Sequence, residues 1–213
     1  MDKKIILFDL GNVFLKPIHG EIIEMLFENK KNNIDYDDYK RDVALILNDS
    51  FEGKISLEET WEKLFKIVNI TEEKEDIVKG FKVIRNEELI KYVSAALVGK
   101  YEIGILSDLS QIGYSVFKNH YNDLYNMCDK DKVFVSVNTG KTKSKDGINY
   151  FNEVINKLKV KPSDVIFIDD EILNIENANA VKLNTILFES HEYKWNVANE
   201  KMKEKLLKLG GET

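Results

Sequence analysis

A chain of 213 residues can bury a sizeable core, either as one large domain or as a domain carrying an insertion, and 43% hydrophobic with 32% charged residues is an ordinary globular composition. The formal net charge of -6 and the lack of a basic stripe argue against nucleic acid as a partner, because phosphate-backbone binding draws on clustered Lys and Arg. A single cysteine, Cys128, rules out an intramolecular disulfide and a multi-cysteine zinc site; the short apolar run after Asp2, Lys3 and Lys4 is neither a signal peptide nor a bilayer span, so no membrane partner is expected and a cytoplasmic location is.

The first predicted element is a strand over Lys4 to Phe8, an apolar run without alternation that suits a strand buried on both faces of a parallel sheet. It ends at Asp9, ahead of Leu10 and a Gly11-Asn12 turn. Open α/β sheets bind ligands at the carboxyl ends of their strands, yet Asp, Gly and Asn are also ordinary turn formers, so Asp9 alone fits either reading. From about residue 16 to about residue 85 the pattern is helical. Ile22, Ile23, Leu26 and Phe27 form one apolar face, and Tyr39, Val43, Leu45, Ile46 and Leu47 suggest a second. Ser56 and Glu59 make a capping box ahead of a face of Trp61, Leu64, Phe65 and Val68. Thr71 before Glu72 and Glu73, and Asn86 before Glu87 and Glu88, are N-caps followed by first-turn acids.

The second half alternates short apolar runs with helical stretches. Strands are expected over Tyr101 to Leu106, ending at Ser107; over Lys132 to Val137; over Val165 to Ile168, ending at Asp169 and Asp170; and over Asn184 to Phe188. Tyr150, Phe151, Val154, Ile155 and Leu158 mark a helix between them. Alternating strands and helices predict right-handed βαβ units, hence an α/β fold with a doubly wound parallel sheet. The expected organisation is a core of residues 1–15 and 86–213 with a helical insertion over 16–85. Two prolines and no Ser- or Gly-rich linker favour a packed helical lobe over a tethered domain.

Asp9, Ser107, Asp169 and Asp170 all fall at predicted strand ends, which a doubly wound sheet gathers along one edge. Converging carboxylates repel and need a cation, and oxygen donors without His or Cys among them favour Mg²⁺.

These residues resemble the motifs of a known family. Phe8-Asp9-Leu10-Gly11-Asn12-Val13, Gly104-Ile105-Leu106-Ser107, Lys145, and Phe167-Ile168-Asp169-Asp170 followed by Asn174-Ile175-Glu176-Asn177-Ala178 look like the four motifs of the haloacid dehalogenase (HAD) superfamily. The match is closest to its subfamily similar to bacterial α-D-glucose-1-phosphate phosphatases, and it extends to Glu52-Gly53-Lys54-Ile55-Ser56 within the insertion. The resemblance implies a Rossmann-like core with strand order 5-4-1-2-3, an inserted α-helical cap, and Mg²⁺-dependent hydrolysis of a small phosphate ester. It implies Asp9 as nucleophile; Asp9, the Gly11 carbonyl and Asp170 as Mg²⁺ ligands; Asp169 and Asn174 behind them; and Ser107, Asp108 and Lys145 at the phosphate. Lys145 suits the spacing to the helix that follows, and Lys143, the competing choice, suits the spacing from Gly140. A monomer or weak dimer is expected.

The chain departs from the family pattern at three positions. Gly11 stands where most phosphatases of the superfamily carry a second Asp that acts as general acid and base, a role typically worth about 10² to 10⁴ in rate. Asp108 stands where Asn is commoner, as a surrogate acid or a helix cap, and Asp146 replaces the Pro that usually follows the lysine, which implies a looser loop. His19, His120 and His191 do not cluster in sequence; only His19, at the strand-to-insertion junction, faces the expected site. The competing functions are metal-free C-halogen hydrolysis and a catalytically impaired phosphate-binding protein.

Overall fold

The computed structural model describes residues 3–71, 82–192 and 194–210. Five parallel strands form one sheet in the order β3-β2-β1-β4-β5: β1 (Ile5–Phe8), β2 (Glu102–Ser107), β3 (Val133–Val135), β4 (Val165–Asp169) and β5 (Asn184–Leu187). This is the expected order read from the other edge. The third strand is shorter than the sequence suggests, because Ser136 and Val137 already belong to the short helix Ser136–Thr139.

Every residue of β1 is buried, and its alternation divides the core. Ile6 and Phe8 point to the face shared with Ile103, Ile105, Ile166, Ile168 and Ile186. Ile5 and Leu7 point to the other, with Leu106, Val165 and Phe167, where Tyr150, Phe151 and Val154 of the helix Gly147–Leu158 cover them. Each such buried side chain contributes about 1.5–3 kcal/mol.

Between β1 and residue 71 the described chain forms three helices, α1 (Ile18–Glu28), α2 (Tyr36–Phe51) and α3 (Leu57–Val68). The capping box is present: Glu59 N donates to Ser56 Oγ at 3.1 Å, and Ser56 N donates to Glu59 Oε2 at 2.8 Å. Asn86 likewise caps the helix Glu87–Tyr92 through Leu89 N. The Thr71 cap involves Glu72 and Glu73, which lie outside the described residues. On α2, Tyr39, Val43 and Leu47 turn inward, whereas Leu45 is 65% exposed, as a 3.6-residue period requires for a residue two places from both Val43 and Leu47.

The insertion shares one apolar cluster with the sheet: Tyr39, Val43, Trp61 and Leu64 are continuous with Phe8, Ile105 and Ile168. Its entry and return segments run side by side, with Lys16 N donating to Ile84 O at 2.9 Å and Asn86 N to Phe14 O at 2.8 Å. The turn after α2 presses against the core. Gly53 has φ +66°, and a Cβ there would lie 2.5 Å from Val137 O, so this approach admits only glycine. Ser50 Oγ accepts from Gln111 N at 3.0 Å and makes a second tie.

Candidate active site

The parallel register builds the site. Phe8 pairs with Ile105 on one side and Ile168 on the other, so Asp9 emerges beside the ends of β2 and β4. Asp9 N donates to Ile168 O at 2.9 Å, and Phe188 N donates to Asp169 O at 2.8 Å. Asp9, Ser107, Asp169 and Asp170, far apart in the chain, thereby converge at one sheet edge, all buried. Asp9, Ser107 and Asp170, with Gly11, Asp108 and Asn174, line a cleft of about 180 Å³. Its outer wall comes from the start of the insertion, including Lys16 and His19, and His19 makes an edge-on ring contact with Phe51 at 5.9 Å.

The lysine in this cluster is Lys143. Its side chain is 3% exposed, and its Nζ donates to Asp169 Oδ2 at 2.5 Å and lies 2.7 Å from Asp9 Oδ1. Lys145, expected here from its helix spacing, sits elsewhere: it is 64% exposed and pairs with Glu52 Oε1 at 2.6 Å. The cause is a bond that sequence does not display. Lys143 N donates to both Asp108 oxygens at 3.1 Å, which draws this end of the loop into the cleft.

Asp108 is therefore no helix cap; Ser110 caps the helix Gln111–His120 through Gly113 N. Nor does Asp146 loosen the loop. Thr142 N donates to Asp146 Oδ2 at 2.8 Å, and Asp146 N to Thr142 O at 3.0 Å, closing a tight turn.

Asp169 is fully buried, and both its oxygens are committed to protein donors. Lys143 and Asn174 donate to Oδ2, and Glu171 N donates to Oδ1 at 2.8 Å. Asp9 Oδ1 and Asp170 Oδ2 are different: both are buried without an aligned hydrogen bond, although Lys143 Nζ lies within ion-pair distance of the first and His191 Nε2 lies 2.7 Å from the second.

Electrostatics follow from that crowding. Burial opposes ionisation of Asp9; Lys143 favours it, Asp169 and Asp170 oppose it again, and the carboxyl is pushed up to about 7. Burial also raises Asp170, reinforced by Asp169 and opposed by Asn12 and His191. For Lys143, burial disfavours the ammonium, but Asp169, Asp9 and Asp108 outweigh it and hold the group above the ordinary lysine value.

Asn12 adopts φ +53°, which Asn tolerates better than most residues, and Trp195 Nε1 donates to its carbonyl at 2.9 Å. Gly11, the residue before it, has room: a Cβ there would meet only Asp9 Oδ2, at 3.6 Å.

The residues fit a divalent cation. Asp9, Asp169 and Asp170 bring one oxygen each within 4.8 Å of one another, and Asp9 Oδ1 and Asp170 Oδ2 are buried carboxylate oxygens whose close partners are cationic or imidazole nitrogens. His191 was not expected near the site from sequence. It follows β5, whose carboxyl end lies on the same sheet edge, and that placement was the available signal. His120 is exposed at the end of its helix, and Cys128 is buried, its Sγ donating to Leu124 O at 3.3 Å.

Solved structures share this fold. A HAD family enzyme from Bacteroides thetaiotaomicron superimposes with TM-score 0.74 at 18% identity, over 92% of this chain and 98% of that one. The same enzyme in complex with magnesium and inorganic phosphate gives TM-score 0.68 at 19% identity, over 92% and 99%. A predicted HAD-like family hydrolase from Porphyromonas gingivalis gives 0.69 at 22% identity, over 94% and 98%. A dehalogenase matches less well, with TM-score 0.59 at 13% identity over 92% and 90%. No protein-family model matches the chain, and no curated protein matches it. The chain thus has the fold of HAD enzymes.

Proposed function

We propose that this protein is a Mg²⁺-dependent phosphatase of the HAD type that hydrolyses a small phosphorylated metabolite. The observation that carries the reading is the buried cluster of Asp9, Lys143, Asp169 and Asp170 at the carboxyl ends of β1 and β4, with Ser107 beside it. The reading gains support from the magnesium and phosphate bound by one enzyme of the same fold.

In this reading Asp9 is the nucleophile. Its carboxylate oxygen bonds to phosphorus as the ester P–O bond breaks, the alcohol leaves, and water then hydrolyses the aspartyl phosphate. Lys143 and Ser107 hold the phosphate oxygens, Lys143 as a point charge. Asp169 fixes the lysine and Asn174, and Asp108 fixes the backbone of the lysine loop. Held by Asp9, Asp170 and the Gly11 carbonyl, Mg²⁺ would supply the positive charge that lets a carboxylate meet a phosphate, a repulsion of about 4 kcal/mol at 4 Å and an effective dielectric near 20. The insertion acts as a cap, with its turn at Glu52 and Gly53 against the core.

With Gly11 in place of an acid, the chain favours a leaving group of lower pKa that depends less on a general acid and can take its proton from water, such as an anomeric sugar oxygen, which agrees with the sugar-phosphate phosphatase resemblance.

The test is a panel of phosphomonoesters assayed with Mg²⁺ and with chelator, alongside Asp9→Asn. Turnover that requires Mg²⁺ and falls at least about 10³-fold in the mutant supports the reading. Turnover that survives either change refutes it. Mg²⁺-independent release of halide from 2-haloacids indicates the dehalogenase reading instead, and Mg²⁺ binding without turnover of any ester indicates a phosphate-binding protein.

A further inference from the structure

We propose that His19 is the general base for the second half of the reaction, taking a proton from the water that hydrolyses the aspartyl phosphate. This role rests on the phosphatase reading. A leaving group of lower pKa relaxes the need for an acid in the first step, but water is the nucleophile of the second step whatever the ester, and Gly11 offers it no base.

Placement carries the assignment. Asp9 is buried where β1 leaves the sheet, and His19 belongs to the outer wall that the insertion supplies to the same cleft. Water displaces the Asp9 oxygen in line, so it reaches phosphorus from the side opposite that oxygen, which is the side of the outer wall.

The chain holds the imidazole there. His19 follows Asp9 by ten residues, and the segment between them is folded back on itself, with Leu15 N donating to Leu10 O at 3.0 Å and Asn12 N to Leu15 O at 2.7 Å. Pro17 stands at the N-cap of α1, and Ile18 and Ile22, both buried, pin its first turns to the core. The His19 ring packs edge-on against Phe51, the last residue of α2, beside the turn where Gly53 meets Val137. The contacts that seat the insertion therefore also fix the imidazole on the cleft wall.

The other charged groups that line the cleft are committed elsewhere. In the proposed reaction Asp9 is the nucleophile and Asp170 a Mg²⁺ ligand, Lys16 and Lys143 carry ammonium groups, and Asp108 accepts from Lys143 N with both oxygens. Glu171 is 62% exposed and lies 3.3 Å from His191 Nε2. His19 differs in kind. The surrounding protein strips water from its charged form and lowers its pKa from the ordinary histidine value, so at neutral pH one ring nitrogen is free of a proton and able to accept one.

The water oxygen bonds to phosphorus as its proton passes to that nitrogen. The bond between phosphorus and the Asp9 oxygen breaks, its electron pair restores the carboxylate, inorganic phosphate departs, and the imidazolium returns the proton to solvent.

The test follows the two half-reactions separately, on an aryl phosphate with Mg²⁺, in wild type, His19→Gln and His19→Ala. Acid quenching traps the phosphoenzyme, and steady-state rates give kcat and kcat/KM. Loss of the base slows only hydrolysis of the intermediate: kcat falls about 10²- to 10⁴-fold and KM falls with it, phosphoenzyme accumulates, and kcat/KM, set by formation of the phosphoenzyme, stays within a few-fold. Added imidazole restores part of kcat in His19→Ala. An unchanged kcat in both variants, or equal losses in kcat and kcat/KM without accumulated phosphoenzyme, would overturn the proposal and leave the phosphatase reading intact. A wild type that turns over no phosphomonoester would instead overturn that reading, and this role with it.

Discussion

The Nζ of Lys143 lies 2.7 Å from Asp9 Oδ1, while the Nζ of Lys145, two residues on, is bonded to Glu52. On the phosphatase reading, the two lysines therefore separate phosphate chemistry from the contact between core and insertion. Lys143→Ala is expected to lower kcat/KM about 10²- to 10³-fold, as loss of a charge that stabilises a transition state does. Lys145→Ala should leave it within a few-fold. Steady-state kinetics on one phosphomonoester checks both, and equal losses would remove Lys143 from the assigned role.

Gly53 holds the turn of the insertion against Val137. Gly53→Ala meets both the left-handed φ and a backbone oxygen 2.5 Å from the new Cβ. A destabilisation of about 2 kcal/mol or more is expected, read from urea unfolding. Gly20→Ala, where nothing lies within 4 Å of the added Cβ, is the control and should be close to neutral.

Gly11 has room for a side chain and an ordinary backbone angle. On the phosphatase reading, Gly11→Asp introduces the missing acid beside Asp9. The rate should rise for alkyl phosphates, whose leaving groups need a proton, and change little for aryl phosphates. A uniform loss across both classes would show that the added charge harms the site more than it helps.

Glu59 accepts from the Ser56 backbone and hydroxyl, and those bonds hold its carboxyl below the usual range. A depressed carboxylate contributes stability above its unfolded pKa and loses it as pH falls through the folded value. The difference in thermal midpoint between wild type and Glu59→Gln should thus be largest near neutral pH and close on acidification. A gap that widens in acid would contradict the capping box.

Mg²⁺ should raise the thermal midpoint of the wild type. Binding at 100 times Kd stabilises by about 2.7 kcal/mol, and Asp170→Asn should abolish most of that shift. An undiminished shift in the mutant would place the ion elsewhere.

Much of the fold was legible because it rests on local pattern. Four apolar residues in a row marked β1, a Ser-to-Glu spacing marked the start of α3, and alternating strands and helices implied the parallel sheet. The acids of the site were legible too, since they end strands whose carboxyl ends must share an edge. Lys143 and Lys145 were not separable that way. Both lie in one short loop, and spacing to the next helix favours one while spacing from Gly140 favours the other.

What the amino-acid order determined alone is the succession of elements and the placing of Asp9, Ser107, Asp169 and Asp170 at strand ends, because hydrophobic period and strand polarity are local properties. What only the tertiary structure decided is which loop residues turn toward those acids. Asp108 captures the backbone of Lys143 from 35 residues away, and His191 meets Asp170 across the gap between β4 and β5. Such contacts depend on how separate strands are brought side by side, and no local spacing encodes them.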